Sequence, residues 1–120
     1  MAGKTILFVY GTLKRGERNH SRIAAGEFLG DAVTPPLYRV YDLGAYPGLV
    51  RDEADGLAVR GELWAVGGPT LAALDEFEEV PDLFVRRPVT LTGCHRLADA
   101  YFFNRPVPAG TPSGDRWPLL

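Results

Sequence analysis

A chain of 120 residues with 46% hydrophobic and 23% charged content has enough apolar material for a real core, and one domain spanning residues 1–120 is expected. Its formal net charge of -2 exerts no long-range pull on nucleic acid or anionic membrane, although Lys14, Arg15 and Arg18 make a small local basic patch, so no nucleic-acid partner is expected. The apolar run at 6–10 is too short for a membrane span or a signal-peptide core, which predicts a cytoplasmic protein with no membrane partner.

Residues 5–10, TILFVY, form a near-continuous β-branched and aromatic run, the pattern of a central strand buried on both faces. The run stops at Gly11. The polar, glycine-punctuated stretch that follows, GTLKRGERNH, leads to a short helix expected near 21–25, with Asn19 as cap and Gly26 as end. Further strands are expected at 27–34, 37–42, 57–66, 84–92 and 98–103, with turns at Pro35-Pro36, Tyr46-Pro47-Gly48, Gly67-Gly68-Pro69 and Gly93. Trp64, on GELWAV, is assigned to the core, with a contact in a homo-oligomer as its alternative. The longest helix starts near Pro69 or Thr70 and is stopped by Pro81.

The lone Cys94 excludes a disulfide framework, and with His20 and His95 the only histidines no metal-ligand cluster, and hence no metal, is expected. Cys94 and His95 are neighbours, and neighbours on a strand point to opposite faces, so they do not make a thiol and its base; His95 is read as facing solvent. The tail at 106–120 carries four prolines and is read as an extended wrap anchored by Trp117. Many short strands with few, short helices predict an α+β domain. Its strongly bent mixed sheet closes partly into a small β-barrel, and the longer helix packs at the mouth.

That helix carries the most informative residue. With Leu71 at zero and about 100° per residue, Leu74 falls near 300°, Phe77 near 240° and Glu78 near 340°, whereas Asp75, Glu79 and Glu76 fall near 40°, 80° and 140° on a solvated face. One acid, Glu78, faces the apolar stripe. A carboxylate held there loses hydration, its pKa rises, and it becomes a candidate general base at neutral pH. The competing reading places Glu78 at a frayed helix end, where it reaches solvent or pairs with Arg86 or Arg87.

The strand-end loop is the second candidate. In Tyr10-Gly11-Thr12-Leu13 the glycine lets successive N–H groups turn toward one point, a nest suited to a carboxylate or a developing oxyanion; a plain turn is the alternative. Gly11 and Gly16 match the outer spacing of a phosphate loop, but Glu17 and Arg18 stand where that motif requires lysine and then serine or threonine, so the nucleotide reading fails.

VYGTLKRGERNH, then YPGLV, GELWAV and LDEFEEVPDLF, in this order and across roughly 5–104, resemble the γ-glutamylcyclotransferase superfamily, particularly its short AIG2-like and γ-glutamylamine cyclotransferase branch. The resemblance implies that fold and a γ-glutamyl small molecule as partner. It also implies a catalytic glutamate after the helical phenylalanine, which here is Glu78, and a substrate cradle at Tyr10, Gly11, Thr12 and Leu13. The implied reaction is attack of the substrate's α-amino group on its own γ-carbonyl, releasing 5-oxoproline and an amine or amino acid without an enzyme nucleophile, a metal or any other cofactor. It needs a base, oxyanion donors and an acid for the leaving nitrogen.

One position departs from the family pattern. A tyrosine commonly follows the catalytic glutamate by six residues, and here that substrate-facing position is Phe84. Tyr46 and Tyr101 are candidate substitutes for the missing hydroxyl, each otherwise a half-buried core aromatic. The competing function is a non-catalytic ligand-binding or interaction module on the same fold.

Overall fold

The computed structural model describes residues 3–94 and 96–119; His95, expected to face solvent, lies outside the described residues. Seven strands are described: β1 (Thr5–Val9), β2 (Glu27–Asp42), β3 (Pro47–Arg51), β4 (Leu57–Val66), β5 (Phe84–Val89), β6 (Ala98–Phe103) and β7 (Ser113–Gly114). Among the described residues there is one α-helix, α1 (Gly68–Phe77), and one 3₁₀ turn at His20–Arg22. The order β1-β4-β2-β3-β6 returns to β1 through a parallel β1–β6 pairing, Leu7 opposite Asp99, so five strands close a ring. The β3–β6 pairing is also parallel and the others in the ring are antiparallel, which makes a small mixed barrel. β5 extends from β6, and β7 adds to β2.

β1 is buried on both faces because two cores lie on either side of it. Phe8 and Tyr10 join Tyr38, Val40, Leu49, Val59 and Leu63 inside the barrel. Leu7 and Val9 point the other way, joining Leu13, Ile23, Trp64 and Leu74 between the barrel, the loop after β1 and α1. Period-two alternation on β1 therefore feeds both cores, and β4 does the same with Leu63 and Trp64. Trp64 is core, 5% exposed.

Several local expectations need correction. The strands expected at 27–34 and 37–42 are one continuous strand, β2, which passes Pro35 and Pro36 with register shifts against β4 instead of turning. Each proline lacks a donor, and Thr34 repairs the ladder: its hydroxyl accepts the Val59 N–H at 2.9 Å and donates to the Pro35 carbonyl at 2.8 Å. The Tyr46-Pro47-Gly48 turn is displaced. The chain reverses earlier, where Leu43 N–H donates to the Tyr46 carbonyl and Gly44 takes a positive φ of 96°, and Pro47 and Gly48 begin β3. β3 reads as a turn because proline and glycine occupy its first two positions. Glycine is needed at 48 because a Cβ there would lie 2.8 Å from the Phe103 Cβ.

The helix expected at 21–25 is only the 3₁₀ turn, and Asn19 does not cap it with its side chain. The strand expected at 84–92 ends at Val89. The tail at 106–120 includes a strand not anticipated from the sequence, β7, pairing Gly114 with Val40 and Ser113 with Tyr41. Trp117 packs against the barrel core, and its carbonyl accepts Lys14 Nζ at 2.6 Å.

Helix α1 begins at Gly68, one residue before Pro69, and docks through Leu74, 1% exposed, with Leu71 and Phe77 flanking it. Its end is tightly built. Glu78 is the C-cap; Glu79 takes a left-handed φ of 55° and donates its N–H to the Glu76 carbonyl at 3.1 Å, while Val80 N–H reaches the Asp75 carbonyl at 3.0 Å. These two bonds are the Schellman closure of a helix, and they fix the residue before it in place. A glutamate in the left-handed region is strained where glycine is not. Glu79→Gly is therefore expected to raise stability by about 0.5–1 kcal/mol, with Glu79→Ala giving no such gain. Urea denaturation at neutral pH checks this, and equal midpoints for the two variants would contradict it.

Candidate active site

A cavity of about 310 Å³ opens where the end of β1, the loop after it, the start of β3 and the end of α1 converge. It is lined by Tyr10, Gly11, Thr12, Leu13, Tyr46, Glu78 and Phe84, the seven residues singled out from the sequence, which come from chain segments up to 74 residues apart. Arg18, Asn19, Phe77, Glu79 and Tyr101 join them in the wall.

The loop after β1 is held from three sides. Lys14 N–H donates to the Gly11 carbonyl at 3.1 Å, Asn19 N–H to the Thr12 carbonyl at 2.9 Å, and the Leu13 carbonyl lies 2.9 Å from His20 Nδ1. Asn19 Nδ2 also donates to the Thr12 hydroxyl at 3.0 Å, which is where the side chain expected to cap a helix is used. With the three carbonyls engaged, the N–H groups of Gly11, Thr12 and Leu13 have no acceptor among the described residues. They sit at the cavity as unused donors, the property an anion nest requires. Gly11 is necessary here because a Cβ at that position would collide with the Pro47 ring at the start of β3.

Glu62 anchors the far side of the loop. This carboxylate is 8% exposed and accepts Arg15 N–H, Arg15 Nε and Trp64 Nε1, each at 3.1 Å. Burial pushes its pKa up, but these donors and the Arg15 charge outweigh burial and hold it below the ordinary value. Glu62 was not singled out from the sequence, although an acid flanked by the buried run LWAV was the available signal.

Glu78 is half-buried, and its carboxylate makes no hydrogen bond or ion pair with the described residues. Burial raises its pKa from 4.5 to about 7; the Arg22 charge opposes the rise without cancelling it. Arg22 stands on the Phe77 ring, 3.8 Å from its centroid. The alternative pairing of Glu78 with Arg86 is not formed. Arg86 is bidentate to Asp75, at 3.0 and 3.1 Å, and reaches Asp99 at 3.0 Å.

Asp75 thus departs from the solvated face the helical wheel gave it. Burial pushes it up, but hydrogen bonds from Arg86 and from the Tyr101 hydroxyl at 2.7 Å hold it below its ordinary value. The Tyr101 hydroxyl is therefore occupied. So is that of Tyr10, which donates to the Tyr101 carbonyl at 2.7 Å and accepts Leu49 N–H at 3.1 Å. Burial raises both phenols well above their usual range. Tyr46 packs edge-on against Phe84, ring centroids 5.7 Å apart, and its hydroxyl has no partner among the described residues. Among the described residues no group of three or more His, Cys, Asp or Glu side chains is placed to hold a metal ion, and no helix is long and apolar enough to cross a membrane.

The sequence matches the family Gamma-glutamyl cyclotransferase, AIG2-like, over residues 7–118. The chain belongs to this family. A provisionally named gamma-glutamylcyclotransferase of Vibrio cholerae is 49% identical over 76 residues, covering 63% of this chain and 64% of that protein. Gamma-glutamylaminecyclotransferase A of Danio rerio is 36% identical over 92 residues, covering 71% of this chain and 57% of that one. The chain thus spans between half and two thirds of the length of these two relatives. The crystal structure of an AIG2-like protein from Mus musculus superposes with a TM-score of 0.86 at 25% identity, covering 96% of this chain and 88% of that one, so the closed barrel with α1 packed against it is the AIG2-like fold.

A raised carboxyl pKa is also a statement about stability. The protonated form of Glu78 is favoured by the fold, so its contribution is present below 4.5 and lost as pH rises through about 7. Glu78→Gln removes this loss and is expected to be more stable than the wild type at pH about 8.5, by up to about 3 kcal/mol, with the difference vanishing near pH 4. Urea denaturation at the two pH values checks it, and a constant difference would contradict it.

Proposed function

We propose that the protein is a γ-glutamyl cyclotransferase that releases 5-oxoproline from a γ-glutamyl amine or amide. The observation that carries this reading is the pairing, in one cavity, of a carboxyl group whose pKa lies near 7 with three backbone N–H groups that have no other acceptor.

In the reaction Glu78 takes a proton from the substrate's α-ammonium group. The freed amine attacks the γ-carbonyl carbon, forming the ring C–N bond and placing negative charge on the carbonyl oxygen. The N–H groups of Gly11, Thr12 and Leu13 are the donors for that oxygen or for the substrate's carboxylate. Protonated Glu78 then gives its proton to the departing nitrogen as the original amide bond breaks, and the regenerated carboxylate takes the second proton from the ring nitrogen, which the released amine carries away as its ammonium form, leaving neutral 5-oxoproline. A group with a pKa near 7 suits both steps, being a usable base and a usable acid at the same pH. Tyr46 and Phe84 form an aromatic wall that folds the substrate into its attacking conformation. Tyr10 serves through its ring and backbone, its hydroxyl being engaged in the barrel.

The test is 5-oxoproline release from γ-glutamyl amines, γ-glutamyl amino acids and glutathione. Wild-type protein is expected to release it, with an acid limb of kcat/KM near pH 7 because the carboxylate is the active form. Glu78→Gln is expected to stay folded and lose about 10²- to 10⁴-fold in kcat. Release unaffected by Glu78→Gln removes Glu78 from the mechanism. No release from any substrate by folded protein supports the competing reading of a binding module on this fold.

A further inference from the structure

Glu78 stands at the cavity with no bonded partner among the described residues, so its behaviour depends on charges held near it but not on it. Most cations of the surrounding loop and strands are committed elsewhere. Lys14 donates to the Trp117 carbonyl, Arg15 is bonded to Glu62 and Asp31, and Arg86 to Asp75 and Asp99. Arg22 is different. It forms no ion pair among the described residues, and its guanidinium carbon lies 3.8 Å from the centroid of the ring of Phe77, the residue next to Glu78. The backbone beneath it is fixed: Arg22 N–H donates to the Asn19 carbonyl and Ile23 N–H to the His20 carbonyl, each at 3.0 Å, and Ile23 is fully buried in the core that holds Leu74, with Phe77 packed against it. The 3₁₀ turn thus carries a cation to the last turn of α1, and the aromatic face keeps it there.

We infer that Arg22, held on the Phe77 ring, is a positioning residue for the proton-transfer group: standing near Glu78 without bonding to it, it sets the pH range in which Glu78 is a carboxylate. A direct ion pair would lock the carboxylate in its charged form and make it a poor acid for the departing nitrogen. With no cation nearby, burial alone would keep it protonated over more of the neutral range. Stacking gives the intermediate case, and attraction to the Arg22 charge is the force that opposes burial at Glu78. The other groups around the carboxylate do not replace it. Asp75, on the same helix, is bonded to Arg86 and Tyr101. Tyr10 and Tyr101 face the cavity from the end of β1 and from β6 as phenols that burial keeps neutral, and Tyr46 faces it from the segment before β3. Arg18 and Glu79 share the exposed wall with opposite charges, and His20, on the same turn as Arg22, packs edge-on against Trp64. Resting on the function proposed above, the consequence is that Arg22 extends activity to lower pH.

The experiment follows the Glu78 carboxyl by carbon-13 NMR titration and, separately, the acid limb of kcat/KM for 5-oxoproline release, in wild-type protein, Arg22→Ala and Arg22→Lys. Removing the cation disfavours the carboxylate, so Arg22→Ala is expected to move the midpoint and the limb upward by about half a pH unit, an about threefold loss of kcat/KM near pH 6. Arg22→Lys should stay close to wild type, because it keeps the charge. Raising ionic strength from about 0.02 M to about 0.5 M should shrink the gap between wild type and Arg22→Ala. A midpoint that is unmoved in Arg22→Ala, or that falls because the side chain had only been keeping water off the carboxylate, overturns the inference. So does Arg22→Lys moving as far as Arg22→Ala, or a loss of rate equal at every pH with the limb in place. The titration needs no turnover. A midpoint shifted as expected in protein that releases no 5-oxoproline defeats the proposed function and leaves the coupling of Arg22 to Glu78 standing; release with an unmoved limb defeats that coupling alone.

Discussion

The Tyr10 hydroxyl is the point on which the site depends. Two of the barrel's junctions, β1–β6 and β3–β6, are parallel, and each is registered by a single paired position, Leu7 with Asp99 and Leu49 with Phe102. Those are the weak seams of the ring. Tyr10 closes both at one end: its hydroxyl donates to the carbonyl of Tyr101 on β6 and accepts the N–H of Leu49 on β3, while its backbone continues β1. A buried hydroxyl with both capacities used holds three strands with one side chain, where an unpaired polar group would be costly. The loop that begins at Gly11 therefore starts from a fixed point.

The helix end is fixed by independent means. Arg86 ties Asp75 to Asp99, the Tyr101 hydroxyl ties Asp75 to β6, and the closure through Glu79 and Val80 prevents the last turn from fraying. Asp75 is three residues before Glu78, so the same turn presents Asp75 bonded to Arg86 and Tyr101 and Glu78 without a hydrogen-bond partner among the described residues. The contrast in environment drives their pKa values in opposite directions, down for Asp75 and up for Glu78. Divergent environments of this kind separate a structural carboxylate from one able to exchange a proton.

Much of this arrangement was readable from the chain. Periodicity placed Leu71, Leu74 and Phe77 on the barrel and Glu78 among them, and the buried strand ending in glycine located the loop. What failed did so for physical reasons. The wheel treats an acid outside the apolar stripe as solvated, but Asp75 finds Arg86 and Tyr101 from strands that helical geometry does not contain. Pro35-Pro36 carries the strongest local signal for a turn, and a hydroxyl on Thr34 supplies what the prolines lack. Pro47-Gly48 opens a strand whose partners, Asp42 and Tyr41, are set by the reversal before it. β7 is two residues long and exists through its pairing with β2, so no local pattern announces it. Arg18 read as one of a small basic patch with Lys14 and Arg15 until the fold put it in the cavity wall.

The central claim is that loss of hydration in this cavity holds the Glu78 carboxyl near neutrality. The most direct measurement is a carbon-13 NMR titration of glutamate side-chain carboxyls, with Glu78 assigned by its absence in Glu78→Gln. The account predicts a midpoint near 7 for that one resonance. A midpoint near the ordinary 4.5 would mean that water reaches the carboxylate freely, and would contradict the account.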